Sequence, residues 1–451
     1  MRAARSKPPR TGIAPLPATS GLDVQLFERA VQHLSLIRQA CSTLPMTKKL
    51  VMAALLLAAL AGALVVFERY AIPIVGPIAP AEASPLESYT GFALKLSLMA
   101  GLGDRNTALS PFSVYPALLM LSEGAAGDSK TEILSALGLS SQADAREWFK
   151  SSSQKFLNVQ PPAKTSIANS VWVRNGIPVK ESYIDTLKLY YLAEHYSFSD
   201  VVDATGRINS WVCNKTNKMI DKIIKNLDPL TIAVLVNTVY FKANWTTHFK
   251  TVIEDVFNSP RGPVQAEYLS GTVEARVLEN EDYIAVALSY VGTDAKFVAL
   301  MPKKASLKDF VNKLSEKDLL KILSDVLDKD DENIKLLIPK FDIDSGIIEL
   351  TPILQDMGIK SVFDPNLADL SEMFDYSKLA EKAYVSKVLH RARVKVDLYG
   401  TEAAAVTAVI IEVTAVPSEQ IKTVKIDKPF AFFLVDPSTK AILFAGSYVE
   451  P

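Results

Sequence analysis

Few residues in this chain of 451 combine the types and spacing that enzyme chemistry needs. The chain contains two cysteines and four histidines, so a Cys213 nucleophile assisted by a histidine is formally available. No catalytic motif surrounds Cys213, and we interpret it as a small buried thiol. The sequence also lacks metal-ligand spacings, a phosphate-binding loop and a nucleophile elbow. We therefore expect no enzyme activity, no cofactor and no metal site.

The stretch with the most unusual chemistry is residues 400–417, whose two halves favour different structures. Residues 402–405 are good helix formers with Thr401 as a possible N-cap, whereas residues 406–416 favour a strand. Read at period two, one face starts small and becomes apolar: Thr401, Ala403, Ala405, Thr407, Val409 and Ile411. That face could be buried in a sheet while Glu402 and Glu412 stay in water. The alternative is a helix C-terminus followed by an ordinary strand.

The elements around this stretch predict a mixed fold. Periodicity and β-branched content predict strands over 167–173, 233–245, 336–341, 425–435 and 441–449, and two short strands within 285–301. Residues 384–396 alternate as a single strand would and lead directly into the ambivalent stretch. A helix is predicted to start at Ser110 as N-cap with Pro111 in its first position, and another helix is predicted over 203–227.

Four short motifs together resemble the serpin family, and its inhibitory members in particular. They read Gly-Thr-Glu-Ala-Ala-Ala at 400–405, Asp-Lys-Pro-Phe at 427–430, Leu-Phe-Ala-Gly at 443–446 and Ser-Pro-Phe-Ser at 110–113. The resemblance covers residues 86–451. It implies one domain of the α+β class, with three β-sheets, about eight or nine helices and an exposed reactive-centre loop.

The resemblance also implies roles for particular residues. The hinge of the reactive-centre loop would comprise Gly400, Thr401, Glu402, Ala403, Ala404 and Ala405. The shutter and breach of the main sheet would comprise Ser110, Ser113, Asn237, Trp245 and His390. In the shutter, His390 would hydrogen-bond across the sheet near Asn237, with Ser113 beneath. Counting from the hinge places the reactive bond at Thr414–Ala415.

The implied function is inhibition of serine or cysteine endopeptidases by insertion of the cleaved loop. Residues 413–416 are small and aliphatic, so an elastase-like target is expected, with the protein acting as a monomer. The alternative is a non-inhibitory serpin, either a ligand carrier or a chaperone. One departure is that Leu398-Tyr399 stands where many inhibitory members have a pair of glutamates.

The first 85 residues contain the sequence features that predict where the protein is located. Residues 1–49 carry eight Lys or Arg and two acidic residues, and are expected to be a basic, disordered or cytosolic tail. Residues 50–67 form an uncharged apolar run about 27 Å long as a helix. The run is either a signal anchor or, if translation starts at Met46, a signal peptide. Residues 68–85 are a Pro-rich linker.

Both interpretations of the apolar run place the domain outside the cytosol, secreted or membrane-anchored. Asn214 and Asn244 fit glycosylation sequons, and Asn214 is the better candidate because Trp245 is expected to be buried beside Asn244. The chain's net charge of −1 gives no reason to expect nucleic acid as a partner.

Overall fold

The computed structural model describes residues 83–379, 383–401 and 421–451. Residues Glu82–Pro451 form one compact unit. The predicted tail and apolar run, and the linker up to residue 82, lie outside the described residues and stay predictions. Within the described ranges, no helix has the length and apolar character needed to cross a bilayer.

Nine α-helices lie in the described residues. They are α1 (Pro85–Met99), α2 (Pro111–Gly124), α3 (Gly127–Ala136), α4 (Gln142–Leu157), α5 (Glu181–Tyr191), α6 (Val201–Lys215), α7 (Leu307–Val311), α8 (Glu316–Leu327) and α9 (Thr351–Asp356). Two 3₁₀ turns cover Ser361–Phe363 and Tyr376–Lys378. A capping box between Ser84 and Glu87 starts α1.

The strands are more numerous than the helices. They are β1 (Thr107–Leu109), β2 (Lys164–Arg174), β3 (Ala193–Phe198), β4 (Ala233–Asn244), β5 (Thr251–Ser259), β6 (Gly262–Glu279), β7 (Tyr283–Ser289), β8 (Lys296–Pro302), β9 (Glu332–Pro339), β10 (Phe341–Asp344), β11 (Ile348–Glu349), β12 (Leu389–His390), β13 (Arg393–Val396), β14 (Gly400–Thr401), β15 (Thr423–Lys425), β16 (Phe430–Val435) and β17 (Ile442–Tyr448).

The described strands form three sheets. One has nine strands in the order β1-β17-β16-β8-β7-β6-β9-β15, with β5 paired to β6. The second has six strands in the order β10-β13-β14-β4-β2-β3, and β11 and β12 form the third. The expected α+β architecture with three sheets is therefore confirmed, and the described residues hold nine helices.

Helix α2 packs against the two large sheets. It contacts both β4 of the six-stranded sheet and β17 of the nine-stranded sheet. Most of its side chains are buried, because apolar residues face both neighbours. Ser110 occupies the N-cap position and Pro111 the first turn, as predicted, but the Ser110 side chain makes no capping hydrogen bond.

Three local predictions were wrong. The helix expected over 203–227 ends at Lys215, because Asn217 and Lys218 adopt left-handed backbone angles with φ of 49° and 68°. The single strand expected over 384–396 is two short strands, β12 and β13. Cys213 is only half-buried on α6, because it does not belong to the apolar face of that helix.

Candidate functional site

In the six-stranded sheet, the two-residue strand β14 lies between β13 and β4. Its residues are Gly400 and Thr401. Gly400 lies opposite Asn244 and Thr401 opposite Ala243, both on β4. Thr401 also lies opposite Val396 on β13. Within the described residues β4 and β13 do not pair directly with each other. Below Thr401 no described strand pairs with both β4 and β13, and we call this place the gap. Strand β14 lies at its top as a central strand.

A small cavity lies at this gap and is lined by residues of β4, β13 and β14, among others. Its inner side is lined by apolar side chains of both sheets, including Phe241, Phe297 and Val394. Its outer side is lined by Met219 and Ile220, which follow α6. Side chains that enter the gap on its inner face therefore meet apolar surface, which favours small or apolar residues there.

Gly400 is required by close approach of the backbone of β4. A Cβ atom at this position would lie 2.1 Å from the carbonyl oxygen of Ala243 and 2.7 Å from Cα of Asn244. Both contacts are with backbone, which cannot move aside as a flexible side chain can. Only glycine can therefore pair with β4 at this point without shifting the strand.

Thr401 is anchored by its hydroxyl group. Its side chain is only 5% exposed, and its Oγ1 lies 2.5 Å from the hydroxyl oxygen of Tyr290. Burial raises the pKa of Tyr290 far above its usual value, so the phenol stays protonated and can share this hydrogen bond. The bond satisfies two polar groups that would otherwise be buried without partners.

Trp245 holds the turn before the hinge. Its indole Nε1 donates to the carbonyl oxygen of Asp397 at 2.9 Å, and its backbone N–H donates to that of Tyr399 at 2.8 Å. The indole ring also stacks on Tyr290 with a centroid separation of 4.6 Å. The Trp245 side chain thus links the turn before the hinge to Tyr290, which holds Thr401.

Leu398 and Tyr399, the residues that depart from the glutamate pair, form the turn between β13 and β14. The Asp397 N–H donates to the Gly400 carbonyl, and the Tyr399 N–H donates to the Asp397 carboxylate, each at 3.0 Å. The Tyr399 ring meets the edge of His248 at a centroid distance of 5.8 Å. Backbone bonds, the Asp397 carboxylate and ring packing therefore hold this turn, in which Leu398-Tyr399 replaces the glutamate pair of the family pattern.

A second polar cluster lies deeper along β4. Asn237 Nδ2 donates to Asn169 Oδ1 on β2, and Ser113 Oγ donates to Asn237 Oδ1. Asn169 in turn donates to the Tyr191 carbonyl at 2.5 Å. These bonds tie α2 to the side of the sheet on which β2 and β4 lie.

His390 bonds to the start of α2 instead of to Asn237. Its side chain is 4% exposed, and its Nε2 accepts the Ser110 backbone N–H at 3.1 Å. The Ser110 hydroxyl donates to the Leu443 carbonyl at 2.8 Å. Burial lowers the pKa of His390 to about 4, so the imidazole is neutral near pH 7 and can accept this bond.

The predicted shutter residues are thus brought to α2 as two pairs. Ser113 meets Asn237 from one side of the gap, and Ser110 meets His390 from the other. The expected bond of His390 near Asn237 is replaced by the bond to Ser110. A shutter role for these residues stays a prediction, since it concerns movement of the sheet.

Two contributors to the site were missed in the sequence. Asn169 stands in the middle of a predicted buried strand, and a polar residue there was a signal that could have been used. Tyr290 follows β7 and carried no local signal, because its partner Thr401 is 111 residues away.

Several predicted site residues lie outside the described residues. They are Glu402, Ala403, Ala404 and Ala405 of the hinge, and Thr414 and Ala415 of the reactive bond. Asn214 is exposed on α6, whereas Asn244 is half-buried at the end of β4. Among the described residues no group of three or more His, Cys, Asp or Glu side chains is arranged to hold a metal ion.

The family model for serpins (serine protease inhibitors) matches residues 87–451. The chain is a serpin. Relatives of this serpin include an uncharacterized serpin-like protein of Thermococcus kodakarensis, 32% identical over 359 residues that cover 77% of this chain and 81% of the relative. The plasma serine protease inhibitor of Bos taurus is 30% identical over 371 residues, 80% of this chain and 89% of its own.

Solved structures show the same fold. The thermophilic serpin Tengpin in its native state aligns with this serpin at a TM-score of 0.72 and 28% identity, covering 81% of this chain and 94% of Tengpin. A complex of thyroxine-binding globulin with thyroxine aligns at a TM-score of 0.70 and 25% identity, covering 81% of this chain and 99% of the globulin. The family therefore includes proteins named as inhibitors and one named for a hormone.

Proposed function

We propose that this serpin inhibits serine endopeptidases, with cysteine endopeptidases as a second class, by acting as a suicide substrate. The observation that carries the proposal is the position of β14. Gly400 and Thr401 already occupy the top of the gap between β4 and β13, and the gap continues below them. A sheet arranged in this way can accept the rest of the loop as a new central strand.

The covalent step follows from protease chemistry. The protease serine adds to the Thr414 carbonyl and passes its proton to the protease's general base, which gives it to the departing amine of Ala415. An ester then joins the protease to Thr414. Insertion of the freed hinge carries the protease away before water hydrolyses that ester. The inhibitor itself supplies no catalytic group.

The register of β14 predicts which side chains are buried on insertion. Continued antiparallel to β4, the strand places Ala403 opposite Phe241 and Ala405 opposite Val239, on the inner face with Thr401. Alanine is small and apolar, so this face of the hinge fits the lining of the cavity. Glu402 falls on the outer face, where it can stay in water.

The same register predicts a polar match at the level of the shutter. Thr407 would lie opposite Asn237 on the β4 side and opposite His390 on the other side of the gap. A hydroxyl there can donate and accept hydrogen bonds with the polar side chains at that depth, the half-buried Asn237 and the buried His390. Insertion is further favoured by on the order of ten new ladder bonds, each worth about 0.5–1.5 kcal/mol.

The target is proposed to be an elastase-like protease. Residues 413–416 are Val-Thr-Ala-Val, and residues 400–421 contain no Lys or Arg. A trypsin-like pocket carries a buried carboxylate and would find no cation to pair with, whereas a small apolar pocket accepts these side chains.

The experiment mixes the purified protein with elastase-, chymotrypsin- and trypsin-like serine proteases and separates the products on a denaturing gel. The proposal predicts a covalent band with the elastase-like enzyme and a released C-terminal peptide that begins at Ala415. Clean cleavage with no covalent band for any protease would reject inhibition. A covalent band formed only with the trypsin-like enzyme, after cleavage at Lys422, would reject the proposed specificity.

A non-inhibitory serpin that carries a ligand is the second candidate. The likeness to the complex of thyroxine-binding globulin with thyroxine favours considering it. Against it stands the small, uncharged inner face of the hinge, which insertion needs and a carrier does not. Cleavage of the loop without a covalent product would move the carrier, or a chaperone, to first place.

We also propose that the domain lies outside the cytosol, either secreted or anchored through residues 50–67, and is glycosylated at Asn214. The name of the bovine plasma relative supports an extracellular setting. Expression of the full chain in secreting cells tests this proposal. The domain should be accessible to added protease, and Asn214→Gln should remove a glycosidase-sensitive mass shift. A domain protected inside the cytosol would contradict both statements.

A further inference from the structure

An open groove lies along α6, where the helix packs on the edge of the six-stranded sheet. Trp172 of β2 and Tyr196 of the edge strand β3 line it from the sheet. Six further lining residues share one face of α6, at helical spacings: Asp203, Gly206, Arg207, Ser210, Trp211 and Asn214. We call this place the α6 groove, and it follows the helix over most of its length.

The floor of the α6 groove is aromatic and fixed in place. The rings of Trp172 and Tyr196 stack with a centroid separation of 4.3 Å and an interplanar angle of 21°. Glu194 accepts hydrogen bonds from the Tyr196 hydroxyl and from Trp211 Nε1, and Lys215 Nζ lies 2.5 Å from the same carboxylate. Because these rings are already held, a ligand that packs on them does not have to order them first.

The rim of the α6 groove is polar. Arg207 pairs with Asp203 at 3.5 Å, and its guanidinium lies over the Trp172 ring at 5.3 Å from the centroid. Ser210 is exposed one turn further along the helix. The rim thus offers a carboxylate, a guanidinium and a hydroxyl beside an aromatic floor. That combination suits a pyranose sugar, whose ring has an apolar face and whose edge carries hydroxyl groups.

Gly206 leaves space above this floor. It lies in the interior of α6, where glycine is less favourable than alanine. Nothing lies within 4 Å of a Cβ atom built at this position, so packing does not demand a glycine. A longer side chain would extend into the groove that Gly206 lines. The glycine therefore weakens the helix and keeps the groove open.

Asn214 stands at the C-terminal end of the α6 groove. Side chains of an α-helix tilt towards its N-terminus, so the Asn214 amide is directed back over the turn of Ser210 and Trp211. Asn214-Lys-Thr216 is the glycosylation sequon. A glycan on this amide would therefore start inside the groove. The helix rises about 16 Å between Asp203 and Asn214, which gives room for more than one sugar ring.

We propose that the α6 groove binds the first sugars of the glycan carried by Asn214, which are N-acetylated hexoses. This inference rests on the glycosylation proposed above, and it adds the surface on which the glycan lies. The apolar face of a sugar ring packs over Tyr196. The hydroxyl and acetamido groups bond to Asp203, Arg207 and Ser210. A glycan bound in this way is shielded from enzymes and restrains α6.

The test measures how fast an amidase that cuts N-glycans at asparagine releases the glycan from the native full chain, made in secreting eukaryotic cells. Wild type is compared with Gly206→Leu, whose side chain covers the floor, and with Gly206→Ala as the matched control. Leucine and alanine are both good helix formers, so the two variants differ mainly in the space that they fill. Mass spectrometry follows the release.

A reference protein carries its glycan outside the groove. It combines Asn214→Gln with Lys313→Asn, which creates a sequon with Ser315 in the exposed loop between α7 and α8. Its release rate is that of a glycan without a groove.

Release should be about fivefold faster for Gly206→Leu than for wild type, the factor that one aromatic packing contact supplies. Gly206→Ala should stay near wild type, and the reference protein should release its glycan at least as fast as Gly206→Leu. Neither variant at 206 should unfold at a lower urea concentration than wild type. Release of the glycan should speed hydrogen exchange of residues 201–215 in wild type and Gly206→Ala but not in Gly206→Leu.

Equal release rates in Gly206→Ala and Gly206→Leu would overturn the inference while leaving glycosylation at Asn214 standing. Wild-type release as fast as in the reference protein would do the same. A wild-type chain without a glycan, beside a reference protein that carries one, would reject glycosylation of Asn214 and the inference with it. A glycan on neither protein would reject the proposed extracellular location as well. Inhibition of proteases is measured separately by the covalent band and stands or falls on that result.

Discussion

At the scale of single residues, position 400 is the one where the structure tolerates the fewest residue types. Because its missing Cβ faces the backbone of β4, Gly400→Ala should push the hinge off that strand. We expect the free energy of unfolding to fall by about 1–3 kcal/mol and the covalent fraction with an elastase-like protease to fall as well. Gly206→Ala on α6 is the control, since nothing lies within 4 Å of its Cβ. Urea unfolding and a denaturing gel check both effects, and equal losses in the two variants would contradict this account.

His390 predicts how stability depends on pH. Its pKa is about 4 when folded because burial disfavours the charged imidazole, against about 6.5 when unfolded. Between these pH values, His390 is protonated in the unfolded chain and neutral in the folded protein. The contribution of His390 is thus complete above pH 6.5, is lost as pH falls towards 4, and is constant below that. Between pH 7 and pH 5 the loss is about 2 kcal/mol.

The measurement is urea unfolding at several pH values for wild type, His390→Asn and the control His248→Asn. Removing His390 should flatten the curve between pH 7 and pH 5 by this amount, whatever its effect on stability at pH 7. His248→Asn controls for replacing a histidine outside the buried pair of His390 and Ser110. If His390→Asn kept the wild-type slope, a neutral buried His390 would be refuted.

Site residues could be predicted from the sequence only where the residue type or a short family motif marked them. Gly400 and Asn237 stand out by type within their strands, and the family pattern pointed to Ser113 and His390. Which of these bonds to which was not predictable, because His390 and Ser110 are 280 residues apart. Their pairing depends on how α2 sits between the two large sheets.

At the scale of elements, periodicity located the long buried strands well. It placed β2 and β4 within a few residues of their bounds. It failed after α6, where residues 217 and 218 turn left-handed and the apolar spacing continues without a helix. Ile220 and Ile223 keep helical spacing because they pack on the outer face of the sheet from an irregular segment. Spacing alone could not separate these two cases.

The register of β14 gives a prediction for the hinge as an element. Ala403→Arg would bring a charge to the inner face on insertion, where burial costs several kcal/mol without a partner. We expect it to convert the inhibitor into a substrate, with cleavage but little covalent product. Ala404→Arg, one residue on and on the outer face, should remain an inhibitor. A denaturing gel with an elastase-like protease compares them, and equal covalent yields would show that the register is wrong.

At the scale of the molecule, β14 lies between β4 and β13 in the six-stranded sheet, and elsewhere in the described residues these two strands do not pair with each other. Both residues of β14 pair with β4, and Thr401 also pairs with β13. The α+β class with three sheets was implied by the family resemblance, and the predicted strands and helices agreed with it. The gap could not be foreseen, because it arises from strands that fail to pair across almost 150 residues of intervening chain.

The most direct test of strand insertion is the thermal midpoint before and after the loop is cut. A zinc protease such as thermolysin serves best, because it attacks with a metal-bound water and forms no acyl-enzyme that could be trapped. If the cut loop inserts between β4 and β13, the midpoint should rise by about 10 °C or more, since several kcal/mol of new strand pairing is gained. A loop cut within residues 402–420 with no rise in the midpoint would contradict the account.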